Sequence, residues 1–178
     1  HYDLRQLRGR GRLMGAAFIY DAIRTPRGKA RADGGLHDLT PHELLRGLYH
    51  SLEQRTWLNP ALVGEVILGC VSQYGEQAGN IAKTSTLYAG WPSTVGGLTV
   101  NRFCSSGIDA ISIAALKIGA GQEQAIVAGG VEMMSRYPKS DGDRGRTIDG
   151  GNPHLRALHP IVPQFISAEL IATLEGYS

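Results

Sequence analysis

Two short, nearly continuous apolar runs, residues 65–71 (EVILGCV) and residues 124–128 (QAIVA), constrain this chain more than any other feature. A strand with water on one face alternates polar and apolar residues, whereas a strand covered on both faces stays apolar. Both runs are too short for a free-standing helix, so they predict buried strands of an α/β sheet, the first covered on both faces. The stretches around them carry helical patterns. Thr40 fits an N-cap, Pro41 the first helical position and Glu43 the partner of a capping box, after which Leu44, Leu45, Leu48 and Leu52 form an apolar stripe. Residues 80–88 read as a second helix closed by Gly90 and Pro92, and residues 97–101 as another short strand. Residues 108–118 are apolar on nearly every face, which predicts a helix at the centre of a domain, ended by Gly119 and Gly121. Residues 16–23 (AAFIYDAI) read as a first strand, stopped by Pro26 and Gly28.

The expected order over residues 14–130 is therefore β-α-β-α-β-α-β, a mainly parallel sheet with helices on both faces. After Gly130 the pattern changes. Residues 131–178 hold Pro138, Pro153, Pro160 and Pro163 with little periodicity, an irregular loop domain. Within it residues 167–175 suggest a short helix with Leu170, Ile171 and Leu174 inward and Gly176 as its stop. Ser178 would suit the N-cap of a further helix, so the chain reads as incomplete, with a C-terminal domain missing.

The chain of 178 residues suffices for one domain and part of another, and 42% hydrophobic with 19% charged residues indicates a globular protein. No apolar run approaches the roughly 20 residues of a membrane span. Cys70 and Cys104 are too few for a disulfide framework or a structural zinc site, which points to a reducing compartment, cytoplasmic or an organellar matrix. The net charge of +2 comes from residues 1–13, where four arginines face one aspartate. The remainder is close to neutral, so no nucleic-acid partner is expected. That segment reads as a leader or tag, disordered, ahead of a start at Met14; an Arg-rich organellar leader is the alternative.

Cys104 falls in the turn between the strand at 97–101 and the helix at 108–118. The first turn of a helix has unpaired N–H groups and partial positive charge, which favour a thiolate and can stabilise an oxyanion. Gly107 would let the backbone turn tightly, and Ser105 and Ser106 could cap. A buried, inert thiol is the competing reading, and it suits Cys70, at the end of a strand with no helix start after it. A cysteine nucleophile also needs a base, and nothing local marks His37, His42, His50, His154 or His159 for that role. Read from its residues alone, the site is half built.

Four segments in order resemble the thiolase family: Ala22-Ile23-Arg24-Thr25-Pro26-Arg27-Gly28, Gly79-Asn80, Asn101-Arg102-Phe103-Cys104-Ser105-Ser106-Gly107 and Ala128-Gly129-Gly130-Val131-Glu132-Met133-Met134-Ser135. The third is similar to the family's active-site signature, and the likeness extends over about residues 16–178. It implies an acyltransferase that cleaves a 3-ketoacyl-CoA with free CoA, or condenses two acetyl-CoA molecules. Cys104 would carry the acyl group as a thioester, with ping-pong kinetics. The implied substrates are coenzyme A thioesters, with no covalently bound cofactor and no metal, and the implied assembly is a homodimer or homotetramer. Residues 97–101 could pair across its two-fold axis.

The family fold has two similar halves, and the loop domain that would begin at Val131 carries much of the CoA contact. By this match Ser167 lies near CoA or substrate, with a helix cap as the plainer role. Met134 could line an acyl pocket, with ordinary core packing of Met133 and Met134 as the plainer role. Arg24 and Asn80 would fix loops. The family's activating histidine (Gly-His-Pro), second cysteine (Cys-x-Gly-Gly) and oxyanion segment (Asn-Glu) do not occur in this sequence: His159-Pro160 follows Leu158, and no cysteine follows Cys104. Phe165 stands where the family usually has glycine. The expectation is an N-terminal half plus the start of the loop domain, with little or no turnover alone. A non-catalytic dimerisation or CoA-binding piece is the alternative. A related ketosynthase or hydroxymethylglutaryl-CoA-forming enzyme fits the Asn101–Gly107 signature less well.

Overall fold

The computed structural model describes residues 15–136 and 151–177. The leader assigned to residues 1–13 and the cap assigned to Ser178 lie outside the described residues. The chain divides into two compact units, His1–Tyr137 and Pro138–Ser178.

The first unit opens its regular structure with α1 (Pro41–Thr56), and the capping box predicted for it is present. Glu43 N–H donates to Thr40 Oγ1 at 3.2 Å, and Thr40 N–H donates to Glu43 Oε2 at 2.7 Å. Its core face consists of Pro41, Leu45 and Tyr49, four residues apart; Leu44, Leu48 and Leu52 are only half-buried beside it. Tyr49 packs on Trp91 with ring centroids 4.7 Å apart, and its hydroxyl shares a 2.9 Å hydrogen bond with Ser85 Oγ.

Three strands follow, β1 (Glu65–Gly69), β2 (Gly96–Val100) and β3 (Ile126–Gly130), with α2 (Ile81–Tyr88) and α3 (Ser106–Gly119) as their crossovers. All pairings are parallel, in the order β2-β1-β3, so β1 is central. The chain steps from β1 to one neighbour and then returns past β1 to the other. Crossovers of one hand that reverse direction must use opposite faces. Accordingly Val66 and Leu68, with Cys70 just beyond the strand, join Leu45, Tyr49, Ile81 and Trp91 on one side. Ile67 joins Ala110 and Ala114 of α3 on the other. The expected parallel sheet with helices on both faces is present.

Three expectations are corrected. Residues 124–128, expected as a buried strand, lead into β3, which stands at the edge of the three described strands and is only half-buried. Residues 16–23 form no strand: Phe18, Ile19 and Tyr20 are 73%, 80% and 91% exposed, because apolar, β-prone residues make a strand only where a ladder partner meets them. The helix expected to be buried all round is covered on one side only. Ser106, Ala110 and Ala114 face the sheet, while Ile108, Ile111 and Leu116 are exposed.

In the second unit α4 (Pro153–Leu158) is capped by Asn152, whose Oδ1 accepts from His154 N and Leu155 N, and α5 spans Gln164–Glu175. The predicted helix is there but begins three residues earlier. Leu170, Ile171 and Leu174, expected inward, are 54%, 56% and 73% exposed, since no described element covers that side. Among the described residues no helix is long and apolar enough to cross a membrane, and no cluster of histidine, cysteine and acidic side chains could hold a metal ion.

Candidate active site

In a parallel sheet every strand points its carboxyl end to the same edge, where α/β proteins place their ligands. Here that edge is formed by the residues after Gly69, Val100 and Gly130. Cys104 lies there, exposed, two residues before the start of α3.

The turn that presents it is built by its neighbours. Phe103 has φ 49°, a left-handed conformation that is strained for a bulky residue. Asn101 Oδ1 accepts from Phe103 N–H at 2.9 Å, while Asn101 Nδ2 donates to the Val71 carbonyl at 3.3 Å. Ser106 Oγ accepts from Arg102 N–H at 2.8 Å and donates to the Phe103 carbonyl at 2.6 Å. Arg102 Nε reaches Asp109 on the first turn of α3 at 2.6 Å. Ser105 occupies the N-cap position without a side-chain cap bond, so of the two expected capping serines only Ser106 bonds the turn, from inside the helix. Gly107, expected to make the tight turn, is an ordinary helical residue whose added Cβ would meet nothing within 4 Å. The space is needed at Gly69 instead, where a Cβ would stand 2.6 Å from the Ser106 carbonyl carbon and 2.8 Å from Gly107 N. The missing side chain on central β1 lets the amino end of α3 seat directly on the strand.

A second group closes the edge between β1 and β3. Glu132, just past β3, accepts from Val71 N–H at 2.8 Å, and Gln77 Nε2 reaches its other oxygen at 3.3 Å. Buried Gln77 also donates to the Ser72 carbonyl at 3.0 Å and accepts from Met133 N–H at 2.7 Å. Cys70, beneath this group, is buried and its thiol is pushed up to about 12, by desolvation first and then by the Glu132 carboxylate. Its reading as a structural thiol agrees with these surroundings. Glu132 stood in the Gly-Gly-Val-Glu segment, yet nothing in the sequence assigned it this role. Gln77 carried no sequence signal at all.

The remaining expectations separate by unit. Met134 lies on the same edge as Cys104 and is 57% exposed, while Met133 belongs to the core. Ser167 belongs to the second unit, in the first turn of α5, where its N–H donates to the Pro163 carbonyl. It is not a cap, because that helix starts at Gln164. Asn80 does fix a loop: it caps α2 and its Nδ2 holds the Gly97 carbonyl at 2.8 Å. Among the described residues Arg24 Nη1 donates to the adjacent Thr25 carbonyl. His42 and His50 are engaged with Thr84 and Gln54.

A family model described as "Thiolase, N-terminal domain" matches residues 17–156. The chain is 41% identical over 172 residues to a steroid 3-ketoacyl-CoA thiolase, FadA6, of Mycobacterium tuberculosis, covering 92% of this chain and 42% of that protein. It is 41% identical over 174 residues to a beta-ketoadipyl-CoA thiolase of Acinetobacter baylyi, covering 90% and 43%. It is also similar to the crystal structure of the Bacillus anthracis acetyl-CoA acetyltransferase, with a TM-score of 0.63 and 40% identity over 70% of this chain and 31% of that one. The chain thus spans about two fifths of the length of the relatives it matches. With a family match over most of its length and the cysteine turn at the sheet's carboxyl edge, this chain belongs to the thiolase family.

Proposed function

We propose that this chain supplies the acyl-accepting cysteine of a thiolase-type acyltransferase acting on coenzyme A thioesters. One observation carries the reading: Cys104 is exposed on a strained turn between the carboxyl end of β2 and the amino end of α3. The Cys104 sulfur, as thiolate, adds to the thioester carbonyl. Its new S–C bond forms as the C–S bond to CoA breaks, and the proton shed by Cys104 ends on the departing CoA sulfur. The partial positive charge at the amino end of α3 would favour the developing oxyanion. Under this reading Met134 lines the acyl side and Ser167 contacts CoA. The edge position of β2 supports pairing of two copies into a homodimer, or a homotetramer built from it.

The sequence has no Gly-His-Pro and no cysteine after Cys104. We therefore expect one acyl transfer onto Cys104 rather than multiple turnover by this chain. The test is intact mass after incubation with acetyl-CoA, beside Cys104→Ser. A single acetyl adduct that is absent from the variant supports the proposal. An unmodified wild-type protein, or an adduct that survives the substitution, overturns it.

A further inference from the structure

We infer that Asn101 and Glu132 are positioning residues for Cys104, Asn101 clamping the strained turn and Glu132 fixing the strand end from which Asn101 is braced; this rests on reading Cys104 as the acylated thiol. A bulky residue in the left-handed region relaxes unless its surroundings over-determine it. Phe103 is such a residue, and 54% exposure leaves little packing to hold it. The restraint is polar. Asn101 Oδ1 takes the Phe103 N–H, and Asn101 Nδ2 braces the same side chain against the Val71 carbonyl. Val71 lies just past the end of β1, and its own N–H is held by Glu132 from beyond β3. Gln77 ties Glu132 and Met133 to the same point. The turn before α3 is thereby referenced to all three strand ends. The bonds that carry the inference run through the backbone, from Glu132 to Val71 and from Asn101 to Val71 and Phe103.

The test measures the rate of Cys104 acetylation by acetyl-CoA, by intact mass, below the melting midpoint of every variant. Asn101→Ala is expected to slow it by about ten-fold or more, since small misplacements of a reacting group cost that much. Glycine adopts the left-handed turn without a clamp. In a Phe103→Gly background the further substitution Asn101→Ala should therefore change the rate by no more than about three-fold, a coupling that a merely structural role would not produce. Thr40→Ala, which removes the remote α1 cap, should leave the rate unchanged while lowering stability. If Asn101→Ala does not fold, Glu132→Gln takes its place, with a clear slowing expected. Wild-type rates in Asn101→Ala or in Glu132→Gln, or a larger loss when Asn101→Ala is added to Phe103→Gly, overturn the inference alone. A wild-type protein that is never acetylated overturns the reading of Cys104 and the inference with it.

Discussion

Cys70 and Cys104 carry the same thiol in opposite surroundings, one sealed under the sheet edge and one exposed beyond it. With burial pushing the Cys70 thiol up to about 12, limited iodoacetamide near pH 7.5 should label Cys104 alone, Cys70 reacting only when the protein unfolds. Peptide mapping checks this, and prompt labelling of Cys70 in the native protein would contradict it. Gly69 makes the second residue-scale prediction. Alanine there must push back the backbone of Ser106 and Gly107 rather than a flexible side chain. Gly69→Ala should therefore cost about 1–3 kcal/mol in urea unfolding and slow acetylation of Cys104, because α3 and its turn move together. Neither effect could be read locally. The sequence shows a glycine inside an apolar strand, but which atoms stand opposite it depends on a helix 37 residues further on.

At the scale of elements, local signals succeeded where their partners are also local. The Thr40–Glu43 capping box and the Asn80 cap of α2 involve residues three apart, and both formed. Thr40→Ala should lower stability by about 1 kcal/mol in thermal melting, with Thr40→Ser close to wild type because it keeps the accepting oxygen. An unchanged midpoint in Thr40→Ala would show that the cap contributes nothing. The same logic explains the misses. Residues 16–23 have the composition of a strand, but composition expresses a demand for a ladder partner without supplying one. The apolar residues of α3 and α5 likewise say that a face should be covered, not what covers it.

For the whole molecule, acid is the informative stress. Burial holds the His42 imidazole below its ordinary value near 6.5, against a smaller opposing effect from Glu76, and Thr84 shares its hydrogen bond. A depressed value means that the fold favours the neutral ring. This contribution to stability is complete above about pH 6.5 and is lost as pH falls through the folded value. Glu76 is also held low, first by the hydrogen bond from Arg136, so its contribution is lost further down, below the ordinary carboxylate range. The melting midpoint should fall from about pH 7.5 to pH 5, and His42→Gln should flatten that part of the profile; a variant with the same slope would remove His42 from the account. The sequence by itself determined the parallel α/β class, the caps, the burial of β1 on both faces and the place of Cys104 ahead of a helix. Each follows from periodicity or from groups a few residues apart. Only the tertiary structure decided the left-handed Phe103, the seating of α3 on Gly69 and the clamp of Glu132 on Val71 and Gln77, whose partners lie 61 and 55 residues away. Those groups become neighbours only once the order β2-β1-β3 brings three strand ends to one edge, and no pattern along the chain encodes that proximity.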